Sequence, residues 1–150
     1  MHFRKATRAD LPAIVHLLAQ DILGQKREAY QDPLPNSYYE AFDRIDADPN
    51  QELIVAENAN QEVIGTLQLT ILPSLSYQGS SRALIEAVRV REDHRGGGIG
   101  GELLQWTIGR ARARGARMLQ LTSDKQRVDA VRFYEKLGFK ASHEGLKMFL

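Results

Sequence analysis

The chemical possibilities of this sequence concentrate in the run Arg95-Gly96-Gly97-Gly98-Ile99-Gly100-Gly101. It stands between an apolar stretch patterned as a strand and a stretch patterned as a helix. Glycines remove the Cβ atoms that keep a ligand off the backbone, and the first N–H groups of a helix have no partners within it. With the positive end of the helix dipole and Arg95 beside it, such a turn is an anion site, and diphosphate is its natural guest. Two cofactor classes carry that group. Gly96, Gly98 and Gly101 spell the dinucleotide pattern G-x-G-x-x-G, and Asp124 lies roughly twenty residues on, where a ribose-binding acid belongs. That pattern, however, follows the first strand of a parallel sheet, whereas here an antiparallel meander precedes it. A Walker loop is excluded because no Gly-Lys-Ser or Gly-Lys-Thr comes after it. His2, His16 and His94 lack metal-ligand spacing, so no metal is expected.

The elements that must hold this turn are legible in the periodicity. Phe3 to Ala6 makes a short first strand. Leu11, Ile14, Val15 and Leu18 then recur at the spacing of a core-facing helix, capped by Thr7 or Asp10 with Pro12 in its first turn. Residues 24–36 have no period and read as a polar loop. A second helix presents Tyr38, Ala41, Phe42 and Ile45 and stops at Asp48-Pro49-Asn50. Residues 53–56 and 63–72 read as a hairpin, residues 73–81 as a turn, and residues 83–91 as a third strand. From Gly98 a helix carries Ile99, Leu103, Leu104, Ile108 and Ala111 on one stripe, with Gly115 as its C-terminal cap. Residues 118–122 form a strand. Ala130, Phe133, Tyr134 and Leu137 mark a last helix stopped by Gly138. Residues 139–142 and 146–150 are expected to close the chain as a hairpin around His143-Glu144-Gly145. The whole reads as one domain, 1–150, of the α+β class, a sheet with helices on its faces.

Three segments stand in a telling order. The chain opens with Arg4-Lys5-Ala6-Thr7 and Asp10-Leu11-Pro12; the strand Ile85-Glu86-Ala87-Val88-Arg89-Val90 leads to Arg95, Gly98 and Gly100; and residues 129–139 carry Ala130, Tyr134 and Leu137-Gly138-Phe139. In these segments the sequence resembles the GNAT acetyltransferases, which use acetyl-coenzyme A. That family's pyrophosphate motif is Arg or Gln, two residues, Gly, one residue, then Gly or Ala. The opening is similar to its first strand and helix, and residues 129–139 look like its second coenzyme-facing segment. Many members carry Asn seven residues before the tyrosine, where this chain has Arg127. The resemblance implies an α/β/α layered fold with a mixed, mostly antiparallel sheet. It implies that the backbone of Val88 and Val90 holds the pantetheine arm, that Arg95, Gly96, Gly97, Gly98, Ile99, Gly100 and Gly101 cradle the pyrophosphate, and that Arg89 and Arg127 belong to the coenzyme-binding set. It also implies an amine acceptor, a small molecule or a peptide, and allows a homodimer. The variable loops that choose the acceptor would be residues 24–39, with Tyr30, Tyr38 and Tyr39, and residues 73–81.

Acyl transfer from a thioester to an amine asks for a proton acceptor, donors for an oxyanion and a proton for the departing thiolate. Glu86 is the candidate base. It alternates with Leu84, Val88 and Val90 on one face of an apolar strand, where an unpaired carboxylate is costly and its pKa tends to rise. The competing role is a salt bridge with Arg82 or Arg89. Tyr134 matches the family's tyrosine, which commonly protonates the sulfur, yet its spacing with Ala130, Phe133 and Leu137 also suits plain packing. His143 is expected in a solvated turn and Trp106 in packing. Arg110, Arg114 and Arg117 are expected on a solvated helix face.

Composition sets the outer bounds. In 150 residues, 20 Lys and Arg face 19 Asp and Glu, so the net charge of +1 recruits neither nucleic acid nor an anionic membrane. Without cysteine there is no disulfide, thiolate metal site or cysteine nucleophile. No apolar run approaches the ~20 residues of a membrane span, and the chain reads as cytoplasmic. Two other classes remain as alternatives: a module that binds acetyl-coenzyme A with little turnover, and a nicotinamide-dependent oxidoreductase.

Overall fold

Strand β1 (His2–Lys5) pairs antiparallel with β2 (Gln51–Glu57), β2 with β3 (Val63–Leu72) and β3 with β4 (Arg82–Val90), while β5 (Met118–Gln120) joins the far side of β4 in parallel. The sheet is therefore five-stranded, in chain order, and mostly antiparallel. A parallel neighbour needs a crossover, and the helix α5 (Ile99–Ala113) supplies it. The computed structural model describes residues 1–150, which divide into two compact units, Met1–Gln120 and Leu121–Leu150. Besides α5, the first unit carries α1 (Leu11–Ala19), α2 (Ile22–Arg27), α3 (Asn36–Ala47) and a single turn, α4 (Ser76–Gly79), within the expected turn at 73–81.

Ile54, Val55 and Ala56 are consecutive and fully buried, which a strand achieves only when both its faces are covered. Successive side chains point to opposite faces. Val55 joins Ile14 and Val15 of α1 and Phe42 of α3 in one core. On the other face Gly65, the partner of Ala56, lies so close to α5 that a Cβ there would touch Leu103, and Phe3 of β1 packs on Trp106 with ring centroids 5.7 Å apart. Trp106 is thus a packing residue, as its sequence context suggested.

The entry to α1 is tied down by charge. Thr7 donates its backbone N–H (2.7 Å) and its hydroxyl (3.1 Å) to Asp10, and the Arg4 guanidinium donates twice to the same carboxylate, at 2.7 and 3.0 Å. Arg4 also reaches Glu57 at the end of β2, at 2.9 Å. The Arg4 hydrogen bonds hold the Asp10 carboxyl below its usual range against the opposing effect of burial.

One expected loop contains a helix. The helix α2 runs into residues 24–36 as far as Arg27, and it begins where Asp21 accepts the Gly24 N–H at 2.6 Å, an N-cap that stabilises even a short helix. Gly24 is buried on α2, and a Cβ there would collide with the Leu18 carbonyl of α1. Glycine at this site fixes how closely the two helices approach. Gly24→Ala is therefore expected to destabilise the protein by about 1–3 kcal/mol, as overpacking does. A urea midpoint that stays put would show instead that α2 yields freely.

In the second unit, α6 (Ala130–Lys136) stops as anticipated, with Gly138 at φ 102°. The closing hairpin does not form: residues 139–150 contain no strand, and Leu146, Met148 and Phe149 are almost fully exposed. Two short strands with no further sheet to cover them are marginal in water, so an alternating pattern there does not suffice.

Candidate active site

The end of β4 is irregular in a way that exposes its backbone. Pairing with β5 covers only Arg82 to Leu84, so from Ile85 to Val90 that edge has no strand partner. On the other side β3 keeps pace until the register slips between Thr66 and Gln68, where Ala87 adopts a left-handed φ of 54°. This is a β-bulge, which bends the strand and re-aims the side chains beyond it. Two carbonyls there accept from basic side chains: Val88 from Arg89 at 2.8 Å and Val90 from Arg95 at 3.1 Å.

Glu86 lies opposite Gln68 in this segment and is exposed. The burial expected from its apolar neighbours is absent because the alternation breaks at the bulge and no strand lies alongside. Its carboxylate makes no salt bridge, with Arg82, with Arg89 or with any other group, so the competing structural role has no support.

After β4 a 3-10 turn (Glu92–His94) leads into the glycine run. Asp93 staples it by accepting from Arg91 at 2.8 Å, which with the His94 contact pushes the Asp93 carboxyl down to about 2. Gly96 and Gly98 have φ of 82° and 85°, values that side chains other than glycine rarely adopt. A Cβ at Gly96, Gly98 or Gly101 would meet nothing within 4 Å. The first bond back into α5 comes from the Glu102 N–H to Gly98, at 3.0 Å, so the N–H groups of Ile99, Gly100 and Gly101 lie ahead of the helical ladder. A bare, glycine-lined cradle of donors thus adjoins an open strand edge. Those features fit a ligand made of an extended amide-bearing arm and a diphosphate, as coenzyme A is.

Tyr134 sits on α6, half-buried, with its ring edge-on to Phe133 at 5.1 Å and to Phe139 at 5.8 Å. Arg127 lies in the turn before α6, where its N–H reaches the Asp124 carbonyl at 2.9 Å and its own carbonyl accepts from Ala130 at 3.1 Å. Asp124, the acid of the dinucleotide pattern, caps that turn by accepting the Gln126 N–H at 3.0 Å. His143 is exposed and meets Ser142 at 2.7 Å, but in irregular chain rather than in a hairpin. No group of three or more His, Asp or Glu side chains is gathered so as to hold a metal ion. No helix is long and apolar enough to cross a membrane.

The basic stripe on α5 is not simply solvated. Arg110 donates to both oxygens of Glu52, at 2.9 and 3.1 Å from Nε, and Arg114 donates to the Pro49 carbonyl at 2.6 Å. Glu52 is 2% exposed, and α5 covers the face on which it lies. Sequence reasoning also misses an open surface depression of about 440 Å³ lined by His16, Ala19, Gln20, Gln25, Glu28, Tyr30 and Glu92. Of these, Tyr30 alone carries a signal, as an aromatic in a polar loop. His16, on the polar side of a well-patterned helix, has none of its own.

The sequence matches the model of the acetyltransferase (GNAT) family over residues 16–139. The chain belongs to the GNAT acetyltransferase family. Among its curated relatives, the L-methionine sulfoximine/L-methionine sulfone acetyltransferase of Pseudomonas aeruginosa is 29% identical over 93% of this chain and 80% of its own. The aminoalkylphosphonate N-acetyltransferase of Salmonella typhimurium is 31% identical, over 93% and 85%. A solved structure described as a transcriptional regulator from Bacillus halodurans C-125 is 58% identical with a TM-score of 0.96, each chain covered to 99%. Glucosamine-6-phosphate N-acetyltransferase from Arabidopsis thaliana shares the fold at 17% identity, with a TM-score of 0.81 and coverages of 99% and 97%. The chain is thus an acyltransferase of the GNAT fold. The open sheet fits that family, whereas the dinucleotide fold would need the glycine turn after its first strand; here four strands precede it.

Proposed function

We propose that this GNAT acetyltransferase moves an acetyl group from acetyl-coenzyme A to a primary amine of a small molecule by direct attack within a ternary complex. The observation that carries this reading is the open edge of β4 running into the bare N-terminus of α5. The coenzyme supplies an activated acyl carbon as a thioester. The N–H groups of Ile99, Gly100 and Gly101, with the α5 dipole, hold its diphosphate. Val88 and Val90 offer backbone N–H groups to its extended arm, and Arg89 and Arg127 belong to the same coenzyme-binding set. A Val88 or Val90 N–H is the donor for the oxyanion. Glu86, exposed and uncommitted, takes the proton of the attacking amine as the C–N bond forms. Tyr134 gives its phenolic proton to the sulfur as the C–S bond breaks. A chain lacking cysteine has no thiol to carry the acyl group, which favours the direct route.

Thermal melting separates this reading from its rivals. At a hundred times its dissociation constant, acetyl-coenzyme A is expected to stabilise the fold by about 2.7 kcal/mol, with no effect from NAD. Gly101→Leu is the informative variant, because the site has open space and no left-handed strain, and leucine is a better helix former than glycine. Its melt without ligand should hold while the acetyl-coenzyme A shift is lost. A shift with NAD alone would overturn the assignment. A shift with acetyl-coenzyme A but no thiol release on any amine would leave only a binding module.

A further inference from the structure

The face of the sheet that carries Glu86 is polar where the fold does not require it. Strands β3 and β4 turn Leu67, Leu69, Ile71, Ala83 and Ile85 to the side that α5 covers, and all five are buried. On the opposite side Gln51 of β2 stands across from Thr70 of β3, and Gln68 of β3 stands across from Glu86 of β4. Side chains of directly opposed residues share a face, with their Cβ atoms about 5 Å apart. A polar row therefore crosses three strands and ends at the candidate base. The row also has a direction. The Gln51 side-chain oxygen accepts from the Gln68 amide and from the Thr70 hydroxyl, each at 2.9 Å. With its NH2 group committed to Gln51, Gln68 has its own oxygen turned away from β2, and that oxygen accepts from nothing in the chain. The Glu86 carboxylate accepts from nothing either. Two acceptors without donors thus stand side by side, one on a half-buried amide and one on an exposed carboxylate.

We propose that Gln68 orients the attacking amine: its oxygen accepts one N–H of a primary amine while Glu86 accepts the other, so that the nitrogen lone pair is aimed at the thioester carbon. The proposal rests on the acetyltransferase reading, with Glu86 as base, and adds a residue which that reading does not contain. A neutral primary amine has one lone pair and two N–H bonds, and the two vacant acceptors match that count. As the C–N bond forms, the N–H held by Glu86 gives its proton to the carboxylate. The N–H held by Gln68 stays in the product, because a side-chain amide is no base. The electron pair of the breaking C–S bond leaves on sulfur, where the Tyr134 proton meets it. Gln51 is a positioning residue in this arrangement, since it touches no reactant and acts by fixing the Gln68 amide. A secondary amine offers one N–H and leaves one acceptor unfilled. A site built to bond an N–H discriminates against the analogue that lacks it, so the pair Gln68 and Glu86 selects primary amines.

The test compares thiol release from acetyl-coenzyme A on two acceptors: the primary amine that the wild type turns over fastest in an amine screen, and the N-methyl derivative of that amine. Gln68→Met keeps the length of the side chain and loses the acceptor. It is expected to lower kcat/KM for the primary amine by about tenfold and for the N-methyl derivative far less, so the preference for the primary amine narrows. The thermal melt and the acetyl-coenzyme A affinity should stay near wild type, because Thr70 keeps its bond to Gln51 and the glycine turn is untouched. Gln51→Met should narrow the same preference, and combining it with Gln68→Met should narrow it no further, since a residue that acts through another adds nothing once that other is gone. An unchanged preference in folded Gln68→Met, or equal losses on both amines, would overturn the inference and leave the acetyltransferase reading intact. No thiol release by the wild type on any amine would remove that reading and the inference with it.

Discussion

Arg110→Met is expected to cost about 3 kcal/mol of stability, the low end of the penalty for stranding a buried charge, because Glu52 is buried although the Arg110 side chain is itself partly exposed. The loss comes less from the missing attraction than from the carboxylate left behind. Glu52 is almost inaccessible, so burial alone would push its carboxyl up. The Arg110 hydrogen bonds, together with the charges of Arg110, Lys5 and Arg114, outweigh burial and hold it below the usual carboxylate range. Arg114 at 3.3 Å and Lys5 at 3.7 Å stay in the variant, which keeps the cost from the upper end. The pH dependence has a definite sign. In the wild type, a lowered folded pKa contributes stability above the ordinary glutamate value, lost as acid takes the pH through the folded value. With Arg110 gone the balance tips toward burial and the folded pKa rises. The deficit relative to wild type should then be largest at neutral pH and shrink on acidification. Urea titrations from pH 4 to 8 measure this. Glu52→Met with Arg110→Met should recover most of the loss, because the buried carboxylate goes too, while Arg114 keeps its bond to the Pro49 carbonyl and Lys5 is exposed. A deficit that ignores pH, or a double variant as weak as the single, would show that Arg110 acts through packing of its stem alone.

The second large effect is on turnover. Tyr134→Phe is expected to lower kcat by roughly tenfold to a thousandfold with coenzyme affinity nearly unchanged, since the ring and its edge contacts with Phe133 and Phe139 remain while the proposed proton donor is removed. Paired with it, Glu86→Gln should erase the ascending limb of the kcat/KM profile against pH, which the Tyr134 variant keeps. Because Glu86 is exposed and makes no ion pair, its replacement should leave the melt where it was. The amine substrate also titrates, so the profile is run with two acceptors of different basicity. A limb that moves with the acceptor belongs to the substrate and removes Glu86 as base. Full turnover in folded Tyr134→Phe returns the tyrosine to packing.

The features legible in the sequence are those that long-range patterning encodes. The ten residues of β3 and the helix from Ile99 to Ala113, with Gly115 beyond it, emerge from alternation, a 3.6-residue stripe and glycine punctuation. The glycine turn is readable because its chemistry lies in the backbone and needs only the letter G in the right place. Three features are not. The helix at Ile22–Arg27 is too short for a period and hides a glycine that tertiary contact demands. The bulge at Ala87 is one residue's torsion, which an alanine does not advertise, yet it decides that Glu86 faces water. The closing strands fail for the converse reason: alternation tells which face of a strand can be apolar, not whether another strand is there to accept its hydrogen bonds. The depression beside α1 and α2 joins residues from α1, α2, the loop after it and the turn after β4, a convergence that no local window contains.

An unpaired strand edge is ordinarily a hazard, since a second polypeptide can add to it and then a third, and the product is a growing cross-β stack. Here the template is interrupted within six residues. Ala87 turns the backbone out of the plane in which a ladder would extend, and the Val88 and Val90 carbonyls are already taken by Arg89 and Arg95. A foreign strand needs every second amide in register over several residues and finds the sequence of donors and acceptors broken. A slender guest with a few amides needs only the positions that remain. The irregular end of β4 thereby screens its visitors by length: it is hospitable to a short chain of atoms and a dead end for a polymer.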